Sequence, residues 1–276
     1  VTATLAGIIP DLPDDEYHRR PELSSTGVRK ILEAPAIYRH YMDTTQPGKR
    51  AFDVGHVAHA KVLGVGTGVI EYPPEHLTPS GNVSTKKATE EWAAAQRALG
   101  FAPVSPDDVG KVDAMAEAVL AHPDARSVLE TVAGREVSLF ATIDGVPMRA
   151  RFDIYDGING GDLKTARDAS PRGFNAAVGR LGYHIQDRWY AEAHTAITGT
   201  ELESFKFIVV ETAAPHLVGV YDLDFMWEDL AKERTKRARE LYARCTETNT
   251  WPGYQSATLT PPTWALYENE EEEIQV

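Results

Sequence analysis

Apolar residues recur at helical spacing through the first half of the chain and switch to alternation near its middle. Residues 1–20, broken by Pro10 and Pro13 and followed by Pro21, read as an irregular lead-in. Ser24 or Ser25 offers an N-cap to Val28-Arg29-Lys30-Ile31-Leu32-Glu33, and Pro35 can start a second helix through Ile37, Tyr38 and Tyr41. A further helix is predicted from Phe52 to Leu63. Residues 84–99 and 107–121, rich in alanine, glutamate and lysine, also carry the helical period.

The period then changes. Glu136 to Ile143 alternates and ends at Asp144-Gly145, a strong hairpin signal. Segments 147–155 and 161–165 continue as strands, giving three short antiparallel or mixed strands. Pro171 to Leu181 and His184 to Thr198 return to helix, Phe205 to Glu211 and Leu217 to Asp222 to strand. A long amphipathic helix runs from Asp224 to about Cys245, closed by Thr-Trp-Pro-Gly at 250–253. Helices before, between and after a short sheet predict an α/β sandwich with an all-helical N-terminal section.

Composition narrows the class. The 276 residues, 42% hydrophobic and 25% charged, are ordinary for a soluble globular chain. No repeat or linker demands two domains, so residues 1–265 are expected to form one domain. The tail Glu268-Asn269-Glu270-Glu271-Glu272-Glu273, within 266–276, is expected to be disordered. The lone Cys245 excludes an intrachain disulfide and a four-cysteine metal site. With no apolar run approaching the ~20 residues a bilayer requires and no signal-peptide pattern, a cytoplasmic protein without membrane contact is expected. The net charge of −13 argues against a nucleic-acid binder at face value. A positive groove on an otherwise acidic molecule would reconcile the two.

The chemistry concentrates in Asp153, nine positions before Asp162, with Lys164 two further on. Strand residues alternate faces, so Asp162 and Lys164 project to one side. Asp153, near the end of the preceding strand, can reach the same side across a turn supplied by Asp156-Gly157 and Gly160-Gly161. Two hard carboxylates and an ammonium suit a divalent cation, Mg²⁺ or Mn²⁺, with an anionic substrate, and so suggest metal-dependent phosphodiester hydrolysis. The Leu163 carbonyl can add a ligand, and Lys164 can orient an attacking water or stabilise developing charge. Surface aspartates beside a turn are the plainer alternative. In Gly55-His56-Val57-Ala58-His59, His59 can complete a metal shell, although a lone histidine is more often structural. Gln186 and Tyr190 share a helix face, and their polar tips suit a phosphate backbone; a core tyrosine with glutamine at its edge is the alternative. Glu136 is expected to pair with Arg149 or Arg151 across the hairpin rather than to lie near the metal.

Taken together, these segments resemble the RecB/RecE branch of the PD-(D/E)xK nuclease superfamily. Leu23-Ser24-Ser25-Thr26 with Pro35 and Tyr38 is similar to that branch's serine-rich helix start and following turn. Gly55 to His59 is similar to its Gly-x-x-x-His helix. Asp153 with Asp162-Leu163-Lys164, and Gln186-Asp187-Arg188-Trp189-Tyr190, follow in the family's order, and Trp251-Pro252-Gly253-Tyr254 is similar to its ending. Among its members the chain looks nearest to phage and prophage exonuclease VIII-like enzymes. The resemblance implies a restriction-endonuclease-like mixed central sheet flanked by helices, with metal held by His59, Asp153, Asp162 and Leu163. It also implies Lys164 as catalytic lysine and 5′-to-3′ digestion of linear double-stranded DNA from its ends, leaving a 3′ single strand. A single-strand annealing protein as partner and a ring-shaped homo-oligomer belong to the same expectation. The rival readings are a non-catalytic DNA-binding recombination accessory on the same fold, and a phage structural component.

Overall fold

A computed structural model describes residues 6–44, 50–66, 68–131, 134–262 and 265. The chain opens with β1 (Gly7–Ile9) and α1 (Asp14–Arg19), then α2 (Ser25–Glu33), α3 (Pro35–Asp43) and α4 (Arg50–Leu63). β2 (Gly68–Glu71), α5 (Lys87–Ala98), β3 (Phe101–Val104), α6 (Pro106–Ala121) and α7 (Pro123–Glu130) follow. Next come β4 (Gly134–Ile143), β5 (Val146–Tyr155), β6 (Asn159–Ala166), α8 (Pro171–Leu181), α9 (Tyr183–Thr198), β7 (Ser204–Glu211), β8 (Val218–Tyr221) and α10 (Phe225–Thr248).

Helix starts follow local chemistry. Ser24, Ser105 and Ser170 each accept a hydrogen bond from the backbone amide three residues on, satisfying one orphan donor of α2, α6 and α8. Proline occupies the first turn of α3, α6, α7 and α8, where its missing N–H costs nothing. Asp224 caps α10 through the amides of Met226 and Trp227.

The strands form one six-stranded mixed sheet in the order β1-β4-β5-β6-β7-β8, parallel only between β6 and β7. Its faces bury separate cores. Leu139, Phe152, Phe207, Val209 and Trp189 pack on one side with α2, α8, α9 and α10. Ile154, Leu163, Ile208 and Val210 pack on the other with Val57 of α4 and Met115 of α6. β5 and β6 pair only at Ile154 with Gly161 and at Tyr155 with Gly160. Extended by one step, that register sets Asp153 opposite Asp162, and there the two strands part.

The helical reading of the first half holds over α2 to α6, with three additions. The segment expected to be irregular contains α1 and β1, the latter an edge strand whose Gly7 and Ile9 pair with Phe140 and Ser138. β2 and β3 form a separate parallel pair around α5; Pro103 in β3 marks it as an edge strand, which masked its strand character. α7, eight residues long, was not expected either. The acidic tail falls outside the described residues. No helix among them is long and apolar enough to cross a membrane.

Candidate active site

The parting of β5 from β6 creates the site. Beyond the last paired residues, the Leu163 amide turns from the ladder and donates to Asp153 Oδ2 at 2.7 Å. Met148, Ala150, Phe152 and Tyr155 belong to one core and Ile154 to the other, so the alternation of β5 slips at Asp153. Across the β4–β5 register, Glu136 stands opposite that slip with a left-handed φ of 49°. Such a conformation is uncommon for a residue with a β-carbon and clusters at functional sites.

Helices on both faces reach into the gap. On one side α4 lies over β6, with Gly55 facing Thr165, where an added β-carbon would make only an ordinary contact at 3.9 Å from Thr165 Oγ1. One turn later His59 Nδ1 comes within 3.2 Å of Asp153 Oδ2, and its ring also reaches the Leu163 backbone carbonyl. On the other side α9 presents Gln186, whose Nε2 donates to Asp162 Oδ1. Lys164, two residues along β6 and on the same face as Asp162, places its ammonium against Asp162 Oδ2. The Lys164 ammonium also lies 4.8 Å from the centre of the Tyr183 ring. His59, Asp153, Asp162, Leu163, Lys164 and Gln186 therefore form one connected cluster. Spacing anticipates the meeting of Asp153, Asp162 and Lys164, whereas Gln186, expected on the substrate strand, contacts Asp162.

The electrostatics are those of a crowded anionic centre. Burial, then the Asp162 carboxylate, pushes Asp153 well above the usual carboxylate range, against the pull of Lys164 and the Leu163 amide. Burial alone would pull Lys164 down, but Asp162 and Asp153 outweigh it and hold the ammonium above its ordinary value. Burial holds the His59 imidazole below its ordinary value despite nearby Asp162, which keeps a neutral nitrogen at physiological pH.

Two expectations change. Glu136 pairs with neither arginine: Arg149 donates to the carbonyls of Tyr17 and Arg20, and Arg151 to Ser138, Asp14 and the Leu12 carbonyl. Instead Glu136 lies within electrostatic range of His59 and Asp153. Its place in the site is the feature the sequence reading missed; the cross-strand register with Asp153 was the available signal. Tyr190, within electrostatic range of Asp162 and Asp153, presents little surface to a substrate strand. It is 7% exposed, packs on Phe152 and Phe205 with ring centroids 4.9 and 5.9 Å away, and hydrogen-bonds the Arg151 backbone. Together with Trp189, whose indole donates to the Arg149 carbonyl at 3.1 Å, it fixes α9 on β5 and so aims Gln186.

The donor set suits a hard divalent cation: two carboxylates, a backbone carbonyl and an imidazole held neutral. Asp162 Oδ2 is wholly buried and receives no hydrogen bond of ordinary geometry, leaving only the Lys164 ammonium against it. No three His, Cys, Asp or Glu side chains among the described residues already converge in ligand geometry. The donors are present, but the Lys164 ammonium, the Leu163 amide and Gln186 hold the carboxylate oxygens.

A mixed sheet with helices on both faces, carrying Asp…Asp-x-Lys where two strands part, defines the PD-(D/E)xK nuclease fold class. Residues 24–258 match the family described as a PDDEXK-like domain of unknown function (DUF3799), and the chain belongs to that family. In solved structures the fold recurs in a protein from Eubacterium rectale provisionally named an exonuclease. It superimposes with a TM-score of 0.64 at 12% identity, covering 94% of this chain and 99% of that one. No curated protein matches the chain in sequence.

Proposed function

We propose that the protein is a divalent-metal-dependent deoxyribonuclease that hydrolyses phosphodiester bonds of linear double-stranded DNA. One observation carries the reading: the cluster joins both carboxylates, the lysine and the histidine through direct contacts, although they come from three separated stretches of chain. Asp153, Asp162, His59 and the Leu163 carbonyl would hold Mg²⁺ or Mn²⁺. When bound, the cation supplies Lewis-acid neutralisation of the phosphoryl oxygens. Lys164 orients the attacking water and offsets charge as it gathers on the phosphorus oxygens. Gln186 acts as a positioning residue, fixing Asp162 through Oδ1.

The exonuclease VIII-like motif order supports 5′-to-3′ digestion from DNA ends, an annealing protein as partner and a ring of subunits as the processive form. Family membership and the provisional name of the Eubacterium rectale protein support a nuclease in the coarser sense. The test uses end-labelled linear and closed circular duplex, with Mg²⁺ and with chelator. Cation-dependent loss of the linear form alone is expected, abolished by Asp162→Ala with folding retained. Binding without digestion would favour the non-catalytic accessory reading, and unchanged cleavage in Asp162→Ala would reject the site.

A further inference from the structure

The chain carries 28 basic and 41 acidic residues, yet one groove reverses that balance. Between α2, the α8–α9 junction and α10 lies a depression of about 570 Å³ whose charged lining is Arg29, Lys30, Arg180, Arg234 and Arg237 against Glu33 alone. Several arginines elsewhere are neutralised by carboxylates: Arg20 by Glu22, Arg97 by Asp53, Arg188 by Glu192, Arg239 by Glu192 and Asp144. None of the groove's five cations is paired with a carboxylate among the described residues. Arg29 donates to the Leu181 carbonyl and to Thr26 Oγ1, Arg234 contacts His184 Nε2 at 2.8 Å, and Lys30 lies over the Tyr41 ring. Unneutralised guanidinium groups crowded in one concavity repel one another and gain by meeting a polyanion.

The groove also adjoins the chemistry. Arg29 is pressed against Gly182, where a β-carbon would fall 2.5 Å from its Cδ; the next residue, Tyr183, turns its ring to the catalytic-lysine candidate Lys164. Arg29 interacts electrostatically with Tyr183 and Tyr190.

We infer that this groove, lined by Arg29, Lys30, Arg180, Arg234 and Arg237, binds the phosphate backbone of the DNA strand leading to or from the catalytic cluster. The inference rests on the proposed nuclease reading and adds a path for the strand. It also answers the objection raised by the net charge, since the positive surface is local.

The experiment follows the anisotropy of a fluorescein-labelled linear duplex in chelator across about 50 to 200 mM salt. Each phosphate contact contributes roughly 0.9 to the slope of log affinity against log salt, so the Arg180→Gln/Arg237→Gln double variant should flatten it by about 1.8. At about 0.1 M salt the same two contacts correspond to roughly 60-fold weaker binding. Both residues are exposed, and thermal unfolding verifies that the variant folds. Lys232→Gln/Lys236→Gln, exposed on α10 but outside the groove, should keep the wild-type slope. An unchanged slope in the arginine variant, or an equal fall in the lysine control, overturns the groove while wild-type cleavage with Mg²⁺ leaves the nuclease reading standing. A wild-type protein that neither binds nor cuts duplex overturns both.

Discussion

Replacing Lys164 by methionine separates the electrostatic logic of the site from its catalysis. The Lys164 and Asp162 side chains are only 19% and 5% exposed, and the ammonium is the cation nearest both carboxylates. Removing it leaves Asp162 with the Gln186 amide and Asp153 with the Leu163 amide and His59. Breaking a buried ion pair from one side costs about 3–5 kcal/mol. The residual exposure of Lys164 and the surviving Gln186 contact argue for about 3 kcal/mol. At roughly 2–4 °C per kcal/mol for a chain of this size, the melting point should drop by about 6–12 °C.

The deficit should depend on pH with a definite sign. Asp153 titrates above its ordinary value in the folded protein, so its contribution is favourable in acid and is lost as pH rises through the folded value. Lys164 opposes that upward shift, so its loss enlarges the effect, and the deficit should widen as pH rises above the ordinary carboxylate range. Mn²⁺ at roughly a hundred times its Kd should return about 2.7 kcal/mol by supplying the missing positive charge. The wild type, whose Asp162 is already neutralised, should gain less. Differential scanning calorimetry with and without Mn²⁺ reads all three effects. A variant that melts within about 2 °C of wild type, or a deficit that is flat with pH, would refute the picture of two buried acids held by one lysine.

Three other perturbations probe the supporting frame. Gln186→Leu frees Asp162 Oδ1 and should weaken Mn²⁺ binding by about 10- to 100-fold in calorimetric titration, with the fold intact. Gly182→Ala meets a φ of 72° and the Arg29 side chain; the backbone part alone should cost about 1–2 kcal/mol, and combining it with Arg29→Ala should leave only that part in chemical denaturation. Tyr190→Phe removes a buried hydrogen bond worth about 1 kcal/mol and should leave cleavage within a few-fold; a large rise in KM alone would restore a direct strand contact.

The chemistry was the most legible part of the chain because it is encoded in short spacings. Asp162 and Lys164 share a strand face by parity, and the Gly55-to-His59 helix brings the imidazole to Asp153 as its resemblance implied. The Gln186-to-Tyr190 spacing correctly placed two residues on one helix, but burial divided their roles: Gln186 reaches the carboxylate and Tyr190 the core. Periodicity cannot make that distinction, since it shows which residues share a face and not how deep each lies. Glu136 departs from its expected pairing because the register sets it opposite Asp153, while Arg149 and Arg151 lie further along β5 and are claimed by the N-terminal segment and Ser138. β1 was invisible for a related reason. Three residues carry no period, and Gly7–Ile9 is a strand only because β4 offers it an edge.

The junction where β5 leaves β6 ties reactivity to architecture at a single position. Because the Asp153 carboxylate, rather than a neighbouring strand, receives the Leu163 amide, that side chain serves as a hydrogen-bonding substitute for a missing rung. On the proposed nuclease reading, a change to alanine there would remove a metal ligand and strand a main-chain donor in the same stroke. Residue 153 is thus constrained twice over, by the proposed metal site and by the main-chain donor it satisfies.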